Sequence, residues 1–305
     1  MSPSRPKPSE IAAEAKRIWL PYIWKHFVKN ATTSYLYPES SAIRIGSDQK
    51  THQRTRVAVM EGDPVTHALG WYQNAIRDPA HRNCKRIPVV NTANEKRAGG
   101  DWESGLMAPE ECFARRSNLV QALTMPWNAQ LRKDVNFYPI PQRGGIYSPE
   151  VFVFRYGPER DYATFAPEEI VSLPVISVAP IRRPKLDETG KYYSFVQEQE
   201  LMREKMKTVL RLASYCGHRN LVLGAFGLGP VFRNPTREVA EMWKDLLFKD
   251  PEFKGVFTDV VFAIDSAMVG PPPKDSDADI TIFQDVFKPS SIFQVSEPKP
   301  RPGQF

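Results

Sequence analysis

From residue 56 onward, short runs of β-branched and other apolar residues alternate with longer stretches of helical periodicity. The short runs predict strands at residues 56–60, 86–91, 151–155, 173–178, 220–225 and 256–264. The longer stretches predict helices at residues 64–75, 110–123, 197–216, 236–247 and 280–287. Because strands that alternate with helices build sheets covered on both faces, we expect an α/β fold.

The two ends of the chain differ from this alternating region. Near the N-terminus, apolar residues at helical spacing, such as Ile11 and Phe27, predict a helix with a kink at Pro21. Residues 31–54 are polar and predict irregular structure, and residues 289–305 are rich in proline. We therefore divide the chain into an N-terminal helical extension (1–54), a main domain (55–288) and a Pro-rich tail (289–305).

Composition narrows the class of protein further. Of the 305 residues, 41% are hydrophobic and 25% are charged, which excludes disordered, collagen-like and coiled-coil chains. No run of 18 apolar residues predicts a membrane span, and the opening residues lack the apolar segment of a secretory signal. The three cysteines, Cys84, Cys112 and Cys216, are too few and too scattered for a disulfide scaffold or a CxxC metal site. We expect an intracellular protein, cytoplasmic or nuclear, with no membrane partner.

The net charge of +6 is modest for a chain of this size. It predicts a slightly basic surface that helps to attract an anionic ligand. Nucleic acid is a possible partner, but this charge supports it only weakly.

Ligands of such sheets usually bind at the carboxyl ends of the strands, so the residues after each strand are candidates. Asp63 follows the first predicted strand and precedes a helix. It can cap that helix, or it can accept a hydrogen bond from the amino group of a ligand. Taken alone, the residues favour the cap.

Two glycine-containing loops also follow predicted strands. They read NTANEKRAGGD at 91–101 and FGLGPVFRNP at 226–235. Small residues let backbone N–H groups approach a phosphate, so two such loops suggest a diphosphate ligand. Neither loop matches G-x-G-x-x-G, and the chain has no GK[ST] motif, which leaves a standard dinucleotide fingerprint or a nucleotide triphosphatase unsupported.

A pair of glutamates, Glu110 and Glu111, follows Pro109 at the start of a predicted helix. Proline and acidic residues suit the first turn of any helix, so the pair can be an ordinary helix start. It can also supply a catalytic acid at the rim of a pocket. Adjacent helical residues point about 100° apart, so the two carboxylates would then have different roles.

In order and spacing, these motifs resemble the signature of the microbial-type poly(ADP-ribose) glycohydrolases, which have a macrodomain fold. The family pattern is a triple glycine, a short spacer and Gln-Glu-Glu. This chain has Ala98-Gly99-Gly100, eight residues, and then Pro109-Glu110-Glu111. Further resembling segments, in the same order, are Gly62-Asp63, NTAN (91–94), GGIYSPEVFVFR (144–155), VISVAP (175–180) and LVLGAFGLGPVFRNP (221–235).

The likeness covers residues 56–265 well. It implies a three-layer α/β/α macrodomain with a mixed central sheet and an N-terminal helical extension, and makes residues 55–288 the catalytic domain.

The resemblance also implies roles for individual residues. Asp63 would bind the adenine amino group, Glu110 would orient ribose hydroxyls, and Glu111 would be the catalytic acid. The distal ribose and the diphosphate would lie along Asn94, Gly99, Gly100 and Asp101. The other side of the diphosphate would be wrapped by Gly227, Leu228, Gly229, Val231 and Phe232.

The implied activity is cleavage of the ribose–ribose glycosidic bond of poly(ADP-ribose) on modified proteins, with release of ADP-ribose and without a metal or cofactor. Glu111 would protonate the leaving ribose oxygen and must therefore hold a proton near neutral pH. Glu110 and the bound diphosphate would raise the pKa of Glu111, whereas the helix N-terminus and Arg115 would lower it.

Two residues depart from the family pattern. Pro109 replaces a glutamine, which removes a side-chain amide near the ribose, and Ala98 replaces a glycine, whose missing side chain allows close backbone approach. Both changes are expected in the half of the site where the reaction occurs. Two alternatives therefore stay open: an ADP-ribose-binding reader without turnover, and a hydrolase of mono-ADP-ribosyl linkages on protein or nucleic acid.

Overall fold

A seven-stranded sheet of mixed direction forms the centre of the protein. The computed structural model describes residues 6–27, 34–51, 53–79, 84–124, 136–271 and 277–292. The strands are β1 (Tyr35–Tyr37), β2 (Arg56–Glu61), β3 (Val89–Thr92), β4 (Gly145–Val153), β5 (Val171–Val178), β6 (Asn220–Leu223) and β7 (Asp259–Ile264). Their order in the sheet is β1-β4-β5-β3-β6-β7-β2. Strand β4 is antiparallel to both its neighbours, and β5, β3, β6, β7 and β2 run parallel.

Helices cover both faces of this sheet. They are α1 (Pro8–Glu14), α2 (Leu20–His26), α3 (Pro64–Arg77), α4 (Pro109–Arg116), α5 (Leu119–Thr124), α6 (Val196–Tyr215), α7 (Gly229–Phe232), α8 (Thr236–Phe248), α9 (Ser266–Val269), α10 (Asp279–Val286) and α11 (Pro289–Ile292). Successive strand residues point to opposite faces. Val90 and Leu221 therefore pack in the core with α6, α8 and α10, whereas Val89 and Val222 pack with α3, α4 and α5. The predicted three-layer α/β/α fold is confirmed.

The N-terminal extension lies against α4. Its two helices are joined by a π-helical turn, Ala15–Trp19, directly before Pro21. Proline has no N–H to donate to the preceding turn, so the expected kink takes the form of this wider turn. The apolar face of the extension packs against Trp102, Ala114, Phe152 and Phe154.

The prediction of one helix over residues 110–123 was wrong. Helix α4 ends at Arg116, and α5 begins at Leu119. Between them, the Asn118 N–H donates to the Phe152 carbonyl (3.1 Å), and the Phe152 N–H donates to Asn118 Oδ1 (2.7 Å). Pairing with β4 therefore satisfies these backbone groups in place of a continued helix.

The prediction of irregular structure for residues 31–54 was also wrong in part. Strand β1 pairs with β4 at the edge of the sheet, and 3₁₀ turns follow at Ser40–Ala42 and Ser47–Gln49. A strand of three residues is too short to show an alternating pattern. Because β1 lies in the predicted extension but joins the main sheet, the domain boundary after residue 54 stays a prediction. Of the predicted tail, 289–292 form α11, and 293–305 lie outside the described residues.

Candidate active site

A cavity of about 590 Å³ opens beside the carboxyl ends of β3 and β5. It is lined by Asn94, Glu95, Lys96, Arg97, Asp101, Leu106, Glu111, Pro180, Arg182, Arg183, Pro230, Val231, Phe232 and Arg233. These residues come from the loops that follow β3, β5 and β6 and from the first turn of α4. The cavity therefore lies where a parallel sheet is expected to hold a ligand.

Glu111 brings a nearly buried carboxyl group to this cavity. Its side chain is in the first turn of α4, and Oε1 accepts a hydrogen bond from the Asp101 N–H (3.0 Å). Burial raises the pKa of Glu111 above its usual range, and this effect outweighs the Asp101 N–H and the charge of Arg115, which lower it. The predicted opposition from Arg115 is present, but burial decides the direction. An acidic group at this position is suited to keeping and donating a proton.

Glu110 lies beneath the cavity and does not line it. Its carboxyl group accepts hydrogen bonds from the Asn94 N–H (2.6 Å), the Gly99 N–H (3.2 Å) and Asn91 Nδ2 (3.2 Å). Burial raises the pKa of Glu110 to about 8, even though these three donors lower it. Glu110 thus fixes the loop between β3 and α4 from below. That it orients ribose hydroxyls stays a prediction.

The same loop passes close to both carboxyl groups because two glycines have left-handed backbones. Gly99 and Gly100 have φ angles of 73° and 56°. A Cβ atom on Gly100 would collide with Glu111 Oε1 and would approach Glu110. Glycine is therefore required here for a backbone conformation and for space.

Asn94 and Asp101, at the two ends of this loop, both line the cavity. Asn94 Oδ1 accepts hydrogen bonds from the backbone N–H groups of Lys96 (2.9 Å) and Arg97 (3.3 Å). The Asp101 carboxylate pairs with Arg97 (2.6 Å). Both side chains thus stabilise the loop, and their predicted contacts with a ligand stay predictions.

The second glycine loop, at 226–235, lines the cavity with only some of the residues that were predicted to bind the diphosphate. Of its five candidates, Val231 and Phe232 line the cavity. Leu228 is buried in the core, and Gly227 and Gly229 make tight left-handed turns, with φ angles of 80° and 75°. These three residues shape the loop from behind.

Asp63 lies in a separate, much smaller cavity of about 20 Å³. Asp63 Oδ1 accepts from the Thr66 N–H (2.7 Å), which is the predicted helix cap, and from Arg116 Nη1 (2.6 Å). Other walls of this cavity are Pro109, Cys112 and Met268. The adenine contact proposed for Asp63 stays a prediction.

Sequence reasoning missed the structural role of three residues that hold the site together. Arg115 donates to the backbone carbonyls of Trp102 (2.9 Å), Ser104 (2.8 Å) and Leu106 (2.7 Å), which fixes the loop before α4. Arg116 is fully buried and pairs with Asp63. The motif FARRSNL contains both arginines, but their burial gives no signal in the sequence.

The third missed residue is Asn234, which is also buried. Asn234 Nδ2 donates to the carbonyls of Ile181 and Gly227 (both 2.8 Å), and Asn234 Oδ1 accepts from the Tyr193 hydroxyl (2.8 Å). One side chain thus joins the loops that follow β5 and β6. The available signal was an asparagine within the second glycine loop, FGLGPVFRNP.

The two departures from the family pattern fall away from the large cavity. Ala98 packs against the core, does not line either cavity and has no left-handed backbone, so glycine is not required there. Pro109 starts α4, as predicted, and lines the small cavity with Asp63. The expectation that Pro109 lies in the half of the site where the reaction occurs stays a prediction.

Neither a cluster of metal ligands nor a membrane-spanning helix occurs in the described ranges. No three His, Cys, Asp or Glu side chains there are grouped as metal ligands are. Nor is any of the described helices both long and apolar enough to cross a membrane. That the reaction needs no metal stays a prediction.

Comparison with known proteins supports the predicted family. Residues 22–156 match the family model of the microbial-type PARG catalytic domain. The predicted resemblance to the microbial-type poly(ADP-ribose) glycohydrolases is confirmed. The matched segment includes the first glycine loop, Glu110 and Glu111.

Solved structures of bacterial poly(ADP-ribose) glycohydrolases share the fold. The enzyme from Thermomonospora curvata is 24% identical with a TM-score of 0.66, over 92% of this chain and 99% of that one. The same enzyme bound to the inhibitor ADP-HPD has a TM-score of 0.64. The Deinococcus radiodurans enzyme in complex with ADP-ribose is 22% identical with a TM-score of 0.60, over 88% of this chain and 97% of that one. No curated protein sequence matches the chain.

Proposed function

We propose that this protein is an ADP-ribosyl hydrolase of the poly(ADP-ribose) glycohydrolase type, with Glu111 as its acid–base residue. The observation that carries the proposal is the position of Glu111. Its carboxyl group is almost buried, its pKa is raised, and it lines the large cavity beside two glycine loops. The related enzymes of known structure bind ADP-ribose or the inhibitor ADP-HPD, which supports ADP-ribose as the recognised unit.

Cleavage of a glycosidic bond requires a proton on the leaving oxygen. It also requires stabilisation of the positive charge that develops on the sugar as the C–O bond breaks. Protonated Glu111 donates its proton to the departing ribose oxygen, and the C–O bond breaks. The resulting carboxylate then takes a proton from the water that attacks the sugar, which restores Glu111 for the next cycle. One carboxyl group serves both steps.

The remaining residues position the substrate. The backbone of the glycine loops, with Val231 and Phe232, holds the diphosphate, and Asn94 and Asp101 face the distal ribose. Glu110 acts as a positioning residue, because its hydrogen bonds hold the backbone of Asn94 and Gly99. Asp63 binds the adenine amino group from the small cavity, beside its partner Arg116.

The test is release of ADP-ribose from purified poly(ADP-ribose). Glu111→Gln should lower the rate by at least roughly 100-fold, the usual contribution of a general acid. Calorimetric titration with ADP-ribose should show that this variant still binds. Glu95→Gln is the matched control, because Glu95 lines the same cavity but is exposed and outside the proposed machinery. Full activity of Glu111→Gln would overturn the proposal.

The same experiment separates the alternatives. A reader would bind ADP-ribose and release nothing from polymer or from any mono-ADP-ribosylated target. A hydrolase of mono-ADP-ribosyl linkages would act on modified protein or nucleic acid but leave polymer intact. The positions of Ala98 and Pro109 away from the large cavity favour the polymer reaction over the reader.

A further inference from the structure

The mouth of the large cavity carries more positive charge than one diphosphate needs. Its exposed cationic residues are Lys96, Arg97, Arg182, Arg183 and Arg233. The acidic residues that line the same cavity are Glu95, Asp101 and Glu111, and the last of these holds a proton in the proposed reaction. The wall of the cavity is therefore net positive, which attracts an anion.

Most of these cations have no acidic partner. Arg97 pairs with Asp101 (2.6 Å). Within the ranges that the structure describes, no ion pair is found for Arg182, Arg183 or Arg233, although Arg233 Nε donates to the Pro230 carbonyl (3.2 Å). The outer nitrogens of three guanidinium groups are thus available to a ligand.

Two of the three arginines have an unusual backbone. Arg183 and Arg233 have φ angles of 53° and 59°, the left-handed region that residues other than glycine rarely adopt. The Arg183 N–H also donates to the carbonyl of Phe232, directly before Arg233 (2.6 Å). Side chains that remain at strained positions point to function, because glycine would fit there at lower cost.

The arginine positions are coupled to the loop that is proposed to hold the diphosphate. Buried Asn234 ties the carbonyl of Ile181, next to Arg182, to the carbonyl of Gly227. The Tyr193 hydroxyl in turn fixes the Asn234 amide. The arginines are therefore held at a set position relative to the glycine loop.

We propose that Arg182, Arg183 and Arg233 form a second anion subsite, which binds the diphosphate of the ADP-ribose unit adjacent to the one being released. This inference rests on the proposed function. Free ADP-ribose has one diphosphate, which the glycine loops hold, so only a substrate of two or more units reaches both subsites. Guanidinium groups suit a diphosphate, because each can make paired hydrogen bonds to phosphate oxygens. The three arginines line a single cavity, which favours a compact diphosphate over a nucleic-acid strand.

The test compares one ADP-ribose unit with two. In the Arg182→Gln/Arg183→Gln variant, KM for an ADP-ribose dimer should rise about tenfold, with kcat unchanged, since each lost contact contributes binding and not chemistry. The Kd for free ADP-ribose should stay within about twofold of the unaltered protein. Arg17→Gln/Arg44→Gln is the control for net charge, because both residues are exposed and neither lines the cavity.

A measurement of binding affinity makes this test independent of catalytic turnover. In a Glu111→Gln background, the dimer should bind more tightly than ADP-ribose, and loss of the two arginines should remove the difference. If the unaltered protein released no ADP-ribose, the proposed function would fail, yet this measurement would still decide the subsite. Equal loss of affinity for monomer and dimer would overturn the proposal, since the arginines would then hold the first diphosphate. So would a single-stranded oligonucleotide that competes as well as the dimer does.

Discussion

The two cavities at the ends of the parallel strands differ in volume and in how far they are open. The cavity of Glu111 has a volume of about 590 Å³ and is open, whereas that of Asp63 has about 20 Å³, too little for an adenine ring. In the small cavity, Met268 on α9 lies against Cys112 on α4, with 3.6 Å between their sulfur atoms. If Asp63 binds adenine as proposed, the small cavity must widen before an adenine ring can enter, whereas the cavity of Glu111 is already open.

The carboxyl groups in the two cavities also differ in whether a cation is paired with them. Asp63 has a buried cation, Arg116, at 2.6 Å, so its charge is compensated within the protein. The guanidinium of Arg115, the nearest cation in sequence to Glu111, is held instead by the three carbonyls of the preceding loop. Burial raises the pKa of Glu111, which favours the protonated form of that carboxyl group.

The largest effect on activity is expected from filling the space beside Glu111 in the large cavity. Gly100→Ala would place a methyl group against Glu111 Oε1 and force a left-handed residue. We expect a loss of kcat/KM of roughly 100-fold, because a displacement of about 1 Å at a catalytic group can have this effect. Gly105→Ala is the control, because no atom lies within 4 Å of its added Cβ and its φ is not left-handed. Equal activity of the two variants would contradict the assigned geometry.

A smaller effect is expected from the adenine half. Asp63→Asn keeps a helix-capping side chain but removes the charge that pairs with Arg116. ADP-ribose binding should weaken by about tenfold, the worth of one good hydrogen bond, and the melting temperature should fall. Calorimetry and thermal unfolding measure these two effects. Thr66→Val removes a neutral hydroxyl group that contacts both Asp63 and Arg116, and it should change ADP-ribose binding little. Equal losses of affinity in both variants would count against a direct contact between Asp63 and adenine.

The smallest effect is expected from the proposed closing residue. Met268→Ala would enlarge the small cavity and should tighten ADP-ribose binding by roughly two- to threefold, since less opening is required. Met268→Leu conserves volume and serves as the control. Weaker binding in the alanine variant alone would mean that Met268 contacts the ligand and does not obstruct it.

The sequence predicted the fold well where its signals were long. Alternating strands and helices gave the three layers, and the motif order gave the family. It failed at β1, a three-residue strand, and at Ser117–Asn118, where pairing with β4 interrupts a helical pattern.

For the site, the sequence identified the loops. It did not show which of their residues line the cavity and which hold the loops in place. Leu228, Gly227 and Glu110 proved to shape the cavity from behind. The partnership of Arg116 with Asp63 joins residues 53 positions apart in the chain, and it depends on packing that no local pattern encodes.

Burial raises the pKa of Glu111, and the proposed reaction depends on the protonated acid that this shift favours. Because the protonated form is the active one, kcat/KM on poly(ADP-ribose) should be lost as pH rises through a pKa that lies above that of a free glutamate, about 4.3. The pKa of the buried Glu110 carboxyl group is also raised, so Glu110→Gln is the control. The alkaline limb should persist in Glu110→Gln and should be absent from the residual rate of Glu111→Gln. A limb that disappears with Glu110 and persists without Glu111 would contradict the account.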